Sequence, residues 1–394
     1  MSTQRRPVTA LVVLLAGGCG GGSSTTPASA ESPRDSGSPT LGRDASGGRT
    51  GTTTTDAGFD AGATSDAAGD VAEVDAGGSE GGTSAASAAR QTVLTFLAGI
   101  RGHRAAIGVE DKDSTQPHAD SDQMASMAGN GQYPSFWSAD WGFGGAVADR
   151  ENIVQEGESQ WAQGALVQYI YHACPPTEDE SCEYSGGPAG TTDILGSSLT
   201  DAQWTDLVTP GGTLYQAWLG RLDTLATFFQ QLKDAGVAPL FRPLHEMNGS
   251  WAWWQGRPGP GGSSKLYQIT HDYLVSTKGL DNIVWVWNLQ DYTTLAADVP
   301  LYNPGPDYFD IAALDVYDTG YTDGNYQAML GGAAGKPIGV AECQLLPAPG
   351  TLTAQPLWTY FAMWPDFFSD DTTQIPALFD DPTVLTLSNM PGWK

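Results

Sequence analysis

Two glutamates, Glu246 and Glu342, each close a run of apolar, strand-like residues: 239–244 before the first and 337–341 before the second. A carboxylate at such a place costs several kcal/mol to desolvate unless it is paired or used. Two carboxylates facing each other across a cleft are what cleavage of a glycosidic bond needs, one as proton donor and the other as nucleophile or base. Arg242 is the candidate for a purely structural ion pair, because it lies four residues before Glu246 and strand alternation puts both side chains on the same side. The residues that follow Glu246 include Asn248, Trp251, Trp253 and Trp254. Aromatic faces stack on the C–H faces of sugar rings, and Asn, His and Arg side chains hydrogen-bond the hydroxyls. Trp253 is expected only to pack the loop down. Further polar residues end other strand-like runs: His172, His245, Asn288, Asp315 with Tyr317, and Trp364.

The elements that position these residues repeat. Eight strand candidates cover 105–109, 135–141, 165–171, 239–244, 283–288, 311–316, 337–341 and 359–364. Between the third and fourth, Leu214, Trp218, Leu222, Leu225, Phe229 and Leu232 recur at helical spacing and stop at Gly236, a C-terminal helix glycine. A second helical stretch near 265–276 precedes 283–288 in the same way. Helices that deliver the chain into buried strands make a parallel sheet, and eight such units in about 300 residues predict an α/β fold, a (β/α)8 TIM barrel. Chemistry in that fold sits where strands end, and there the odd polar residues lie.

The 394 residues carry 18 Lys+Arg against 45 Asp+Glu, a net charge of −27 that argues against a nucleic-acid partner. Arg5 and Arg6 precede the apolar run 11–15 and the small residues before Cys19, the pattern of a secretory signal. A Cys at that point resembles a bacterial lipoprotein signal, so residues 1–19 are expected to direct export, with Cys19 as lipidation site. Membrane contact is expected only through that anchor, and the product is a cell-surface or outer-membrane lipoprotein or a secreted protein. Residues 20–89 hold a single aromatic, Phe59, and are rich in Gly, Ser, Thr, Ala and Asp. That composition predicts a disordered linker, which leaves 90–394 as the folded body. Cys174 and Cys182 lie eight apart in a polar segment, and an exported chain permits a disulfide there, while Cys343 is expected to be a buried thiol. No Cys/His spacing suggests a metal.

RPLHEMNGSWAWW, with the later IGVAEC and the DVYD that follows DYFDI, resembles glycoside hydrolase family 26, whose best-known members are endo-β-1,4-mannanases. Weaker similarity in YPSFWSADWGF, QYIYHACPP, NIVWVWN and FAMWPDFF extends the resemblance over most of 100–394. The resemblance implies a barrel without cofactor, expected as a monomer acting on a polysaccharide. It implies Glu246 as general acid/base and Glu342 as nucleophile of a retaining double displacement, with His172 and His245 lining the subsite of the attacked sugar. Tyr317 would hydrogen-bond the nucleophile, Asp315 would position neighbouring groups, and Trp251 and Trp364 would be sugar platforms. Arg242, Asn248 and Trp254 complete the expected substrate-binding set. Retention requires carboxyl groups roughly 5–5.5 Å apart and a Glu246 that holds its proton more tightly than Glu342. Tyr171 stands where the family has Trp, Cys174-Pro175 where it has Asn-Pro, and 178–183 is an acidic loop. These departures fix the substrate less firmly than the reaction: mannan leads as the family's majority substrate, with β-1,3-xylan and mixed-linkage β-glucan as alternatives within the family. A non-catalytic carbohydrate-binding surface lipoprotein is the alternative of another class.

Overall fold

A computed structural model of the chain describes residues 84–142, 146–187 and 192–393. The expected signal, Cys19 and nearly all of the expected linker lie outside these residues. The first helix, Ala85–Ile100, starts five residues before the boundary expected at 90. Ser84 caps it by accepting from Ser87 N, and four of the five residues at 85–89 read as linker are alanines, the strongest helix formers. The helix buries Val93 and Leu97 and is pinned by Arg90, which pairs with Asp310 at 2.6 Å.

All eight expected strands are present: β1 (Ala105–Glu110), β2 (Phe136–Asp140), β3 (Leu166–Tyr171), β4 (Leu240–Pro243), β5 (Val284–Gln290), β6 (Ile311–Val316), β7 (Ile338–Cys343) and β8 (Trp358–Met363). Each pairs in parallel with the next, and β1 pairs with both β8 and β2, closing the barrel. The helix Thr213–Asp234 buries Trp218, Leu222, Leu225, Phe229 and Leu232, and Gly236 behind it adopts φ 75°, the left-handed turn that favours glycine. Nearly every strand residue is buried, as expected for a sheet filled inside and covered outside by helices. A short ninth strand, β9 (Val384–Leu385), pairs with the start of β1; two residues carry no periodicity, so the sequence did not disclose it.

One irregularity bears on the site. Along β6 and β7, Leu314 pairs with Val340 but Asp315 pairs with Glu342, so Ala341 is an extra residue in β7. Such a bulge re-aims the side chains that follow it, and here those are Glu342 and Cys343.

Candidate active site

Beyond β4 the chain turns sharply. Leu244 and Glu246 both adopt positive φ, 51° and 50°, a conformation that costs non-glycine residues energy and persists only where the surroundings impose it. Asn288, on β5, imposes it. Its Oδ1 accepts from Glu246 N at 2.7 Å, its backbone carbonyl accepts from Met247 N at 3.4 Å, and its Nδ2 donates to Asp315 Oδ1 at 2.8 Å. The Glu246 carboxylate, 5% exposed, accepts from Trp251 Nε1 at Oε2. Asn288→Ala would leave the backbone of Glu246 and one oxygen of Asp315 without their partner. We expect about 1–3 kcal/mol of stability to be lost and turnover to fall more than tenfold, checked by denaturant titration alongside steady-state kinetics.

Glu342 is held from two sides. Arg242 Nη2 donates to its Oε1 and Tyr317 Oη to its Oε2 at 2.9 Å. The other arm of the guanidinium, Nη1, donates to Asp315 Oδ2 at 2.7 Å. Arg242 is fully buried, which alone would favour losing its charge, but the Asp315 and Glu342 carboxylates reverse that and hold it firmly cationic. Tyr317 is itself set by Asp291, whose two oxygens accept the backbone N–H groups of residues 317–320. One oxygen each of Glu246, Asp315 and Glu342 lie within 4.8 Å of one another. These three could hold a cation in principle, but both oxygens of Asp315 and of Glu342 already accept hydrogen bonds. Burial, then the nearby Glu342 charge, pushes the Glu246 carboxyl up to about 8.

Around the carboxylates lies an aromatic basin. His172, 4% exposed, engages Asp140 through Nδ1, and its ring stands edge-on to His245 at 4.3 Å. Burial would raise Asp140, but the charge and hydrogen bonds of His172 outweigh it and lower its pKa. Burial, then His172 and Arg242, pushes His245 well down, so its imidazole is neutral. Trp251 is half-buried, with its ring 5.6 Å from His172 and 5.4 Å from His245. Trp364, also half-buried, has its ring 6.5 Å from His172 and its Nε1 donating to Asp366.

Several expected substrate contacts are placed differently. Arg242 does not bond Glu246; it bonds Asp315 and Glu342, and with no exposed surface it is a positioning residue. Asp315 is equally enclosed. Trp254 is fully buried, its indole donating to His245 O, and so braces the turn as Trp253 does through Ala173 O. Asn248 is tied into the loop, donating to Gln290 O and Asp298 and accepting from Gln290 N. Cys174 and Cys182 are joined, and Cys343 is a buried thiol. Asp140 and Asp291 were not picked out from the sequence, although each ends or follows an apolar strand run. Glu110, at the end of β1, was also missed; it is buried, and burial raises its carboxyl well above the usual range.

A closed eight-stranded parallel barrel with two buried glutamates converging at the carboxyl ends of β4 and β7 belongs to the class of two-carboxylate glycoside hydrolase barrels. The family model of glycosyl hydrolase family 26 matches residues 82–389, and the chain belongs to that family. It is 31% identical over 255 residues to a mannan endo-1,4-beta-mannosidase of Thermothelomyces thermophilus, a match covering 61% of this chain and 49% of that protein. Identity is 26% over 292 residues to the protein of that name from Bacillus subtilis (strain 168), covering 68% and 75% respectively. Among solved structures, GH26A from a Muricauda species superposes with a TM-score of 0.70 at 28% identity, covering 76% of this chain and 96% of that one. The chain thus spans about half the length of the Thermothelomyces relative.

Proposed function

We propose that this chain is an endo-acting, retaining glycoside hydrolase that cleaves β-1,4-mannosidic bonds in mannan, galactomannan or glucomannan. The observation that carries the reaction type is the close approach of Glu246 and Glu342, with oxygens within 4.8 Å. Inversion needs about 6.5–9.5 Å between carboxyl groups, to leave room for water, whereas retention needs about 5–5.5 Å. Mannan as substrate is supported by the relatives, which carry the name mannan endo-1,4-beta-mannosidase.

Glu342, its oxygens oriented by Arg242 and Tyr317, attacks the anomeric carbon as the bond to the leaving oxygen breaks. Glu246, protonated up to about pH 8, gives that oxygen its proton. Once Glu342 is esterified its charge is gone, the repulsion that helped keep Glu246 protonated falls, and Glu246 removes a proton from the water that attacks the same carbon. The ester bond then breaks and Glu342 returns as carboxylate. Neutral His245 and Asp140-oriented His172 offer polar contacts to the sugar beside the carboxylates, with Trp251 and Trp364 as apolar platforms. Export belongs to the same proposal and is supported by the Cys174–Cys182 disulfide, which suits an oxidising compartment. A lipid on Cys19 would hold a monomeric enzyme at the cell surface, where it meets polymer outside the cell.

The test is release of reducing ends from galactomannan, mixed-linkage β-glucan and β-1,3-xylan by the 82–394 fragment, with the anomeric configuration of the first-formed product followed by NMR. Hydrolysis of galactomannan with a β product is expected; an α product would overturn retention, and turnover of another polymer alone would overturn mannan. The pH dependence follows from Glu246. Because only its protonated form is an acid, turnover is expected to fall as pH rises through about 8, and Glu246→Gln should abolish that limb, leaving activity only on aryl glycosides whose leaving group needs no proton. Between the unfolded carboxyl's pKa near 4.3 and about 8 the folded state holds the extra proton, so Glu246 makes stability decline with rising pH. Glu246→Gln should flatten that slope in denaturant titrations.

A further inference from the structure

After β3 the chain passes His172 and enters a ring closed by Cys174 and Cys182, whose Cα atoms are 5.8 Å apart. Two buried arginines fill the ring. Arg221, from the helix Thr213–Asp234, donates to the carbonyls of Cys174, of Pro175 at 2.8 Å and of Glu178 at 2.6 Å. Arg150 pairs with Glu180 at 2.7 Å, and Glu180 also accepts from Tyr171 Oη at 3.0 Å. Although residues 177–179 are exposed, these bonds from two buried arginines tie the ring to the barrel's helices. Two residues beyond Cys182 comes Tyr184, whose carbonyl accepts from Leu195 N at 2.9 Å, while Gly196 N donates to Trp251 O at 2.6 Å. The ring and the Trp251 loop are therefore stitched together through Tyr184.

The Tyr184 side chain faces the site. Its ring lies 6.0 Å from that of His172, edge-on, and 6.1 Å from that of Trp251. Burial and the charges of Glu246 and Glu342 raise its hydroxyl to about 12, so it is a hydrogen-bond donor at any working pH. Half-buried, it keeps surface to offer.

We infer that Tyr184 is a substrate-contacting, specificity-determining residue: its ring forms the wall of the sugar site beside His172 and Trp251, and the disulfide-closed ring 174–182 fixes it there. The ligand is a neutral pyranose of the polysaccharide, with a C–H face against the ring and a hydroxyl accepting from the phenol. This rests on the reading of the chain as a glycoside hydrolase. If Tyr184 only covered its neighbours, its removal would lower stability and leave sugar affinity alone.

The test is calorimetric titration of mannohexaose into Glu342→Ala protein, which binds without turnover, compared with the same protein carrying Tyr184→Ala, Tyr184→Phe or Cys174→Ser with Cys182→Ser, with a melting curve for each. Tyr184→Ala is expected to weaken binding about tenfold with an unchanged melting temperature, on the scale of a well-placed aromatic contact. Tyr184→Phe should fall between, by the share of the hydroxyl. The cysteine pair should weaken binding too, with no further loss when Tyr184→Ala is added, because both act through one wall. Affinity within twofold of the parent in both Tyr184 variants would overturn the inference; Tyr184→Phe decides it if Tyr184→Ala does not fold. If the parent does not bind mannohexaose, the substrate reading has failed and the titration is repeated with mixed-linkage gluco- and β-1,3-xylo-oligosaccharides. Loss of affinity in the Tyr184 variants for whichever the parent binds would still sustain the wall, whereas a parent that binds none overturns both readings.

Discussion

Glu342→Ala is expected to lower kcat on galactomannan by at least about four orders of magnitude, because the covalent ester must form on its carboxylate and the neighbouring Asp315 has both oxygens engaged by Arg242 and Asn288. The fold should survive, since Arg242 keeps its 2.7 Å bond to Asp315. A second effect separates this variant from a merely damaged one. Glu342 is among the groups that raise Glu246, so its removal should shift the titration of Glu246 toward lower pH. Azide or formate can enter the vacated space and attack an activated aryl β-glycoside directly, and the product of that single displacement has the α configuration. Rates with and without azide, and the anomeric NMR signal of the product, check the expectation. Residual activity above about 1% of wild type, or a β-configured azide adduct, would remove Glu342 from the role of nucleophile.

Arg242→Met is expected to cost about 3–5 kcal/mol of stability, the penalty for removing one partner of a buried ion pair and stranding the other. Here two carboxylates are stranded, because the guanidinium bonds both Asp315 and Glu342. Burial already pushes the Asp315 carboxyl up and Arg242 opposes that, so without the cation Asp315 would hold a proton in the folded state that it releases when unfolded. With more protons bound in the folded state, stability falls as pH rises and partly returns on acidification. Arg242→Lys should recover little, since a single ammonium cannot reproduce a planar fork that reaches two carboxylates at once. Denaturant titrations between pH 5 and 8 measure the effect; a variant as stable as wild type at pH 8 would show that Asp315 and Glu342 do not depend on the cation.

The strands were legible because each is a short run, apolar on both faces, bounded by helical or polar segments. The paired glutamates were legible because a carboxylate that ends such a run has little other reason to be there. The partners of Arg242 were not, since they stand 73 and 100 residues away and depend on which strands neighbour each other across the barrel. Asp140 and Asp291 act through other residues, one orienting His172 and the other gathering the backbone of residues 317–320, and neither action leaves a local pattern. Trp251 and Trp254 differ by three positions in one aromatic run, yet one reaches the Glu246 carboxylate and the other is wholly enclosed. Composition offers no way to tell them apart, because the difference arises from the tight turn at residues 244–246. The alanines at 85–89 misled in the opposite direction: low complexity read as linker, where helix propensity prevailed once Val93 and Leu97 had a core to meet.

The extra residue at Ala341 gives the separation of the two glutamates an unusual origin. That separation depends on the number of residues on β7 as well as on the side chains that hold each carboxylate. A bulge bends the strand that carries it, so a β7 without Ala341 would lose the local bend that aims Glu342 at its partners while every one of those residue types remained in the sequence. A search that matched residue types alone would accept such a chain as intact, and no single substitution would repair it.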